Sequence, residues 1–315
     1  MTTINVIDPH LHLFDIEQGE YQWLKSDKPP FWPDKELIQR SFNENDLVLN
    51  EALTLAGFVH IEAGFDNQQP WREIAWLESH CQRDFRSIAG IDLTLDDEQF
   101  SACINQIKTY KSVVGVRDIL DDNALEYLSS EQVKANLNQL AKQGLMFELQ
   151  MPLTKVITVD LLLEVLKSTP ELQVIINHAG FPPESIFGEN SSSEKRQKDQ
   201  QAQDKTQIVL EEKKTAWQQW QTALAKLGQS KQCFIKCSGF EMINRLYQSS
   251  WQLTVINTCI EHFGIKRVMF ASNFPLCLLS KSYHEHWQNM MDTQVFTTDE
   301  LNNLCYQNAK RIYQF

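Results

Sequence analysis

The stretch VIDPHLHLFD, residues 6–15, places two histidines directly after an apolar run near the start of the chain. In an extended strand, neighbouring side chains alternate between faces, so Asp8, His10 and His12 share one face. At a rise of ~3.3 Å per residue, the two histidines lie ~6.6 Å apart along such a strand. They can therefore converge on one small ligand or metal ion if this face points into the fold.

Seven further runs along the chain are also short, apolar and rich in β-branched residues. Together with residues 4–8 they predict eight strands, the others being 55–63, 86–93, 112–118, 145–151, 172–178, 233–239 and 266–272. Intervening segments repeat apolar residues at helical spacing, as in 69–83, 97–110, 129–144 and 159–169. Almost continuously apolar strands that alternate with helices indicate a parallel sheet covered by helices. The pattern predicts one α/β domain over residues 1–315, a closed (β/α)8 TIM barrel, with an open doubly wound sheet as the alternative.

Two stretches interrupt this alternation. Residues 16–46 form a long first connection that contains KSDKPPFWPD (25–34), which on a barrel would lie over the strand ends. Residues 189–207 have Ala202 as their only hydrophobic residue, a composition that cannot bury itself. We expect this polar insertion to be either a mobile flap or a disordered segment.

Composition restricts the partners and the compartment. The formal net charge of −12 opposes binding to nucleic acid or to an anionic membrane surface. The seven cysteines are scattered and include no Cys-x-x-Cys pair, as expected for reduced core residues of a cytoplasmic protein. The start of the chain resembles no targeting segment and no long apolar stretch occurs, so we expect no membrane span. The oligomeric state is left open.

Polar side chains stand at the ends of several other predicted strands. On a barrel these ends surround one cavity, and the side chains would satisfy one another or bind a ligand. These candidates are His60, Arg117, Gln150, His178 and Lys236. Alternatively, Arg117 forms an ion pair with Asp118 or Glu148, and Lys236 extends its ammonium group to solvent. The remaining histidines, His80, His262, His284 and His286, are expected on helix surfaces.

Eight segments in order along the chain carry a resemblance to a known family. The chain resembles the amidohydrolase superfamily, in the branch of 2-pyrone-4,6-dicarboxylate lactonase and the sugar-acid lactonases. The segments are VIDPHLHLFD, FVHIEAGFDNQQPWREIAWLE, GVRDIL, MFELQMPLTKVITVDLLLEV, VIINHAGFPP, FIKCSGF, RVMFASNFPLCLL and NAKRIY. The resemblance implies a distorted barrel of the metal-dependent-hydrolase type that hydrolyses a lactone or related cyclic ester.

The resemblance also implies roles for individual residues. His10 and His12 end the first strand of the site, and His178 and Arg117 contact the substrate or its carbonyl. The residue at position 273 handles the attacking water. Lactonases of this branch commonly read SDWP or SDFP there, whereas this chain reads SNFP with Asn273. An amide is not a useful base at neutral pH.

The resemblance, taken with the candidate residues, implies a hydrolase of a small carboxylated lactone. Water attacks the ring carbonyl, His12 or His178 is the base, and Arg117 holds a carboxylate of the anionic small-molecule substrate. The protein uses either no cofactor or one divalent metal ion, most simply zinc bound by His10, His12 and His178. A two-metal site is not expected, because the strand end where the binuclear enzymes of the superfamily have a bridging lysine has the neutral residue Gln150 instead. The alternatives are a catalytically impaired protein that binds a small anion, and a zinc-dependent decarboxylase of the same superfamily.

Overall fold

Eight parallel strands form one sheet in chain order, which confirms the predicted (β/α)8 TIM barrel. The computed structural model describes residues 4–184, 200–291 and 295–315. The strands are β1 (Ile4–Leu11), β2 (Leu53–Ile61), β3 (Phe85–Gly90), β4 (Val113–Ile119), β5 (Met146–Gln150), β6 (Val174–Ile176), β7 (Cys233–Cys237) and β8 (Val268–Phe270). Strands β6 and β8 have only three residues each, so the barrel is irregular.

The barrel closes between β1 and the residues that follow β8. The backbone N–H of His12 donates to the carbonyl of Phe274 at 2.7 Å, and the N–H of Asn273 donates to the carbonyl of His10 at 2.9 Å. Closure therefore depends on main-chain bonds of three predicted site residues, His10, His12 and Asn273, and it brings the ends of β1 and β8 together.

Helices cover the outside of the sheet, and the four predicted helical segments are all present. The helices are α1 (Trp71–His80), α2 (Asp97–Ile107), α3 (Ala124–Ser129), α4 (Glu131–Lys142), α5 (Val156–Ser168), α6 (Gln200–Gly228), α7 (Phe240–Ile243), α8 (Ser249–Phe263), α9 (Tyr283–Met291), α10 (Thr298–Asn302) and α11 (Asn308–Ile312). Residues 200–207 of the predicted insertion begin α6, and residues 189–199 lie outside the described residues. No helix in the described part of the chain is long and apolar enough to cross a membrane.

Apolar side chains fill the interior of the barrel. Buried residues from seven of the strands, among them Ile7, Val59, Ile175 and Met269, form one cluster with Ile312 and Tyr313 near the end of the sequence. A second, larger apolar cluster lies between the sheet and the helices. The space for a ligand is therefore at the carboxyl ends of the strands, where barrel active sites are found.

Candidate active site

A cavity of about 850 Å³ opens at the carboxyl ends of the strands. Five of the predicted site residues line it, namely His12, Arg117, Gln150, His178 and Asn273. The other three, His10, His60 and Lys236, are fully buried and are not among the lining residues. The structure thus separates the predicted set into groups that face the cavity and groups that support them.

Three histidines cluster at the base of the cavity. The ring centroid of His10 lies 5.2 Å from that of His12 and 4.6 Å from that of His178. Burial, followed by the nearby positive charge of Arg117, lowers the pKa of His12 well below its ordinary value. The same two causes lower the pKa of His178 to about 3. Both imidazoles are therefore neutral near pH 7.

The hydrogen bond of His12 defines its tautomer. Its Nδ1 lies 2.8 Å from the carbonyl oxygen of Ile61, and a carbonyl only accepts, so Nδ1 carries the proton. The Nε2 atom of neutral His12 consequently has a free lone pair. This is the protonation pattern that a general base requires.

Below the histidines lies a fully buried ion pair between β5 and β7. The Lys236 ammonium is 2.8 and 2.7 Å from the two carboxylate oxygens of Glu148, which also accepts from the Tyr313 hydroxyl at 2.6 Å. Burial lowers the pKa of Lys236 to about 8. Lys236 therefore does not reach solvent, contrary to one prediction, and its charge is held inside the barrel.

Lys236 also determines the tautomer of His10. Its Nζ is 3.5 Å from Nδ1 of His10, and an ammonium group only donates, so Nδ1 accepts. Neutral His10 then carries its proton on Nε2, which is buried and has no hydrogen-bond partner in the described residues. A nitrogen that bears a proton offers no lone pair to a metal ion.

The predicted metal site on His10, His12 and His178 does not fit this arrangement. Within residues 4–184, 200–291 and 295–315, no group of three His, Cys, Asp or Glu side chains is placed to hold a metal ion. The ammonium of Lys236 beside His10 also opposes a second positive charge. We therefore assign no metal to this set of donors.

Arg117 forms an ion pair, but its partner is neither Asp118 nor Glu148. The partner is Glu62, whose Oε1 lies 2.8 Å from Nε and 2.6 Å from Nη2 of Arg117. Nη2 also donates to the backbone carbonyl of Glu62 at 2.8 Å, and Nη1 donates to the side-chain oxygen of Gln150 at 3.1 Å. Glu62 also lines the cavity. The guanidinium charge is thus largely neutralised, and Arg117 can offer a ligand an unused Nη1 N–H.

His60 supports the site from outside the cavity. Its Nδ1 accepts from the backbone N–H of Leu13 at 3.2 Å, and its Nε2 donates to Glu73 at 3.1 Å. Glu73 in turn accepts from the N–H of Ala63 at 2.9 Å. Both ring nitrogens are occupied, so His60 joins β1, β2 and α1 and has no nitrogen free for a substrate.

One carboxyl group of the site, that of Glu241, was not among the residues predicted from the sequence. Glu241 lies in α7 just after β7, is buried, and its Oε1 accepts from the amide of Asn273 at 2.6 Å. Burial raises the pKa of the Glu241 carboxyl to about 7, and its Oε2 has no partner in the described residues. The signal in the sequence was available, since an acidic residue directly follows SGF (238–240) after the seventh strand.

The segment that carries His178 has an unusual backbone. Residues His178, Ala179, Gly180 and Phe181 all have positive φ angles between 52° and 68°. Such angles are strained for residues other than glycine and persist where the surrounding structure enforces them. The backbone thus turns His178 toward the other histidines.

The structure corrects the prediction that His286 lies on a helix surface. His286 is buried, and its Nε2 is hydrogen-bonded to the carbonyl of Ala271.

Comparison with known proteins assigns the family. The sequence model of the amidohydrolase family matches residues 7–315. The chain belongs to this family. An uncharacterized protein, y4mH, of Sinorhizobium fredii is 27% identical over 337 residues and is matched along the whole of both chains.

Solved structures share the fold of this amidohydrolase at low sequence identity. A Burkholderia multivorans amidohydrolase with bound HEPES is 17% identical, covers 98% of this chain and 99% of its own, and has a TM-score of 0.74. Another structure of a B. multivorans amidohydrolase, with bound zinc, has a TM-score of 0.73 at 16% identity and the same coverage. A probable 2-pyrone-4,6-dicarboxylic acid hydrolase of Acinetobacter baumannii, with bound citric acid, gives 0.62 at 18% identity over 99% of this chain and 100% of its own.

Proposed function

We propose that this amidohydrolase hydrolyses a small carboxylated lactone without a metal ion. The observation that carries the proposal is the free Nε2 lone pair of neutral His12 in the wall of a cavity that His178 and Arg117 also line. Membership of the amidohydrolase family supports a hydrolytic reaction. The similarity of the fold to that of a probable 2-pyrone-4,6-dicarboxylic acid hydrolase supports a lactone as the substrate.

The first step is attack of water on the lactone carbonyl. Nε2 of His12 accepts a proton from the water as its oxygen bonds to the carbonyl carbon. The amide of Asn273 is oriented by Glu241, which leaves Oδ1 of Asn273 to accept a hydrogen bond from the same water. His12 thus replaces the carboxylate base that position 273 lacks.

The carbonyl oxygen gains negative charge during this attack. Nδ1 of His178 is 3.1 Å from the Ser238 hydroxyl, which can donate to it and so place the imidazole proton on Nε2. A neutral imidazole with Nε2–H can then donate to the developing oxyanion. The tetrahedral intermediate collapses by cleavage of the ring C–O bond, and the His12 imidazolium returns its proton to the leaving ring oxygen. The product is a hydroxy acid.

A carboxylate of the substrate needs positive groups in a protein of net charge −12. Arg117 can contribute its unused Nη1 N–H. Lys28 lines the same cavity, and its ammonium has no ion-pair partner among the residues that the structure describes. Together they favour an anionic ligand.

The test is turnover of δ-valerolactone and 2-pyrone-4,6-dicarboxylate in a pH-indicator assay, with metal content measured on the same protein. We expect turnover that survives EDTA and that falls by about 10² or more in His12→Asn. His80→Asn, an exposed histidine of α1, is the control and should leave the rate unchanged. Absence of lactone turnover overturns the proposal, as does activity that EDTA removes and zinc restores. Release of CO2 from a carboxylated aromatic only in the presence of zinc would favour the decarboxylase alternative.

A further inference from the structure

The cavity is larger than the reaction requires. Its volume of about 850 Å³ lies at the upper end of the ~300–1,000 Å³ that is usual for sites that enclose drug-sized ligands. Besides the catalytic groups, the cavity is lined by Trp23, Pro29, Pro30 and Trp32 from the first connection, a surface that we call the tryptophan wall.

The tryptophan wall is held in place by a buried lysine. The ammonium of Lys35, which is 4% exposed, donates to the carbonyls of Trp23, Lys25 and Lys28 at 2.9, 3.0 and 2.8 Å. A buried ammonium group is costly unless its donors are all satisfied, and here three carbonyls of one loop satisfy them. This loop is therefore a fixed part of the site.

Both tryptophan rings are also fixed individually. The indole N–H of Trp23 donates to the Ala63 carbonyl at 2.7 Å. The guanidinium of Arg245 lies 5.1 Å from the centre of the Trp32 ring and is paired with Asp34 at 2.8 Å. The two ring centroids are 6.4 Å apart with an interplanar angle of 70°. The wall thus presents to a ligand two preformed aromatic surfaces that are inclined to each other by 70°.

Three further apolar side chains contribute to the lining. Phe181, Met242 and Leu276 also line the cavity. Aromatic groups prefer edge-to-face or offset contacts with indole rings, and each such contact strengthens binding by about two- to tenfold beyond the effect of buried area. A flat aryl group matches this combination of fixed rings and apolar side chains.

We propose that the substrate of this amidohydrolase carries an aryl group, attached to or fused with the lactone ring, and that the tryptophan wall binds it. The inference rests on the proposed hydrolysis for the reacting bond. The aryl-binding site is inferred from the tryptophan wall alone, and it can be tested by measuring ligand affinity without turnover.

The kinetic test compares two six-membered lactones, δ-valerolactone and 3,4-dihydrocoumarin, which adds a fused benzene ring. We expect kcat/KM for dihydrocoumarin to fall about tenfold in Trp32→Leu and further in Trp23→Leu/Trp32→Leu, with less than a twofold change for δ-valerolactone. Phe31→Leu is the matched control, because Phe31 belongs to the same loop, is 73% exposed and is not among the lining residues. An equal loss for both lactones, or an unchanged ratio, overturns the inference.

Calorimetry with the two hydrolysis products separates the inference from the proposed function. We expect 3-(2-hydroxyphenyl)propanoate to bind at least tenfold more tightly than 5-hydroxypentanoate, and Trp32→Leu to remove this preference. If this holds while neither lactone is hydrolysed, the aryl site stands and the proposed function fails. If lactones are hydrolysed but the aryl acid binds no better, the proposed function stands and the aryl site is wrong.

Discussion

Asn273 donates its amide N–H to Oε1 of Glu241 at 2.6 Å, so a residue of the cavity wall is oriented by a carboxyl group behind it. An ionised carboxylate only accepts, which fixes Nδ2 of Asn273 toward Glu241. A protonated carboxyl can instead donate to Oδ1 and allow the amide to reverse. Because burial raises the pKa of Glu241 to about 7, both arrangements are accessible near neutral pH.

The first prediction concerns the pH dependence of this pair. If ionised Glu241 is needed to orient Asn273, turnover rises as the pH increases through about 7. Glu241→Gln should remove this limb of the profile and leave the rate nearly independent of pH from 6 to 8. A wild-type profile that is unchanged in Glu241→Gln would show that Glu241 does not act on position 273.

The raised pKa of Glu241 extends the first prediction from turnover to stability. A carboxyl whose pKa is raised from 4.5 to about 7 in the folded state binds more protons there than in the unfolded chain. Stability therefore decreases as the pH rises from about 4.5 to 7, by up to roughly 3 kcal/mol for a shift of this size. The difference in free energy of unfolding between pH 5 and pH 8 should shrink in Glu241→Gln, as measured by urea denaturation.

The second prediction concerns Asn273→Asp. The new carboxyl would lie beside Glu241, and two carboxyls at this distance share one proton, so one pKa rises strongly. We expect the single variant to reach its maximum turnover at higher pH than the double variant Asn273→Asp/Glu241→Gln, in which the Asp ionises freely and acts as a base. Equal profiles for the two variants would contradict the shared proton.

The strand pattern predicted the barrel because each strand is short, apolar and separated from the next by a helix. The same reasoning identified His10, His12 and His178, whose positions at strand ends follow from alternation. It did not identify Glu241, which lies four residues beyond the last residue of β7 and reaches the site only because α7 turns back toward β8. Residues in the connections between strands are placed by the conformation of each connection, which the periodicity of the sequence does not encode.

The ion-pair partner of Arg117 is a second feature of the site that the sequence did not predict. Sequence proximity suggested Asp118, and strand order suggested Glu148 on the neighbouring β5. The actual partner, Glu62, follows β2, two strands away. Long side chains at the strand ends of a barrel reach across neighbours, so their pairing depends on three-dimensional geometry. The first connection was expected over the strand ends, but the sequence did not indicate which of its rings would line the cavity.

The third prediction tests the Arg117–Glu62 pair. Arg117→Met should weaken binding of a substrate carboxylate and leave the Glu62 carboxylate without its partner. Arg117→Met/Glu62→Gln removes that unpaired charge and should recover part of the loss. Titration calorimetry with citrate is a suitable measurement, and citrate affinity that is unchanged in Arg117→Met would exclude a role for Arg117 in anion binding.

The fourth prediction concerns the buried pair of Lys236 and Glu148. Glu148→Gln leaves the ammonium of Lys236 buried without a counter-charge and should cost about 3–5 kcal/mol of stability. Glu148→Gln/Lys236→Met removes both charges and should be more stable than the single variant. Tyr313→Phe, which removes only one hydrogen bond to Glu148, should cost about 1–3 kcal/mol. A single variant as stable as wild type in urea denaturation would show that water or another group compensates Lys236.

The last prediction concerns Gly239, which has a φ angle of 68° and lies against His178. A Cβ atom at this position would be 2.5 Å from Nδ1 of His178, closer than non-bonded atoms allow. Gly239→Ala therefore combines backbone strain of about 1–2 kcal/mol with displacement of the imidazole from Ser238. Gly144→Ala is a matched control, since Gly144 has a φ of 70° but its Cβ would meet nothing within 4 Å. Both variants should lose similar stability from the backbone, whereas only Gly239→Ala should also lose most of its lactone turnover at a temperature where both are folded. Equal turnover in the two folded variants would show that the position of His178 does not matter for the reaction.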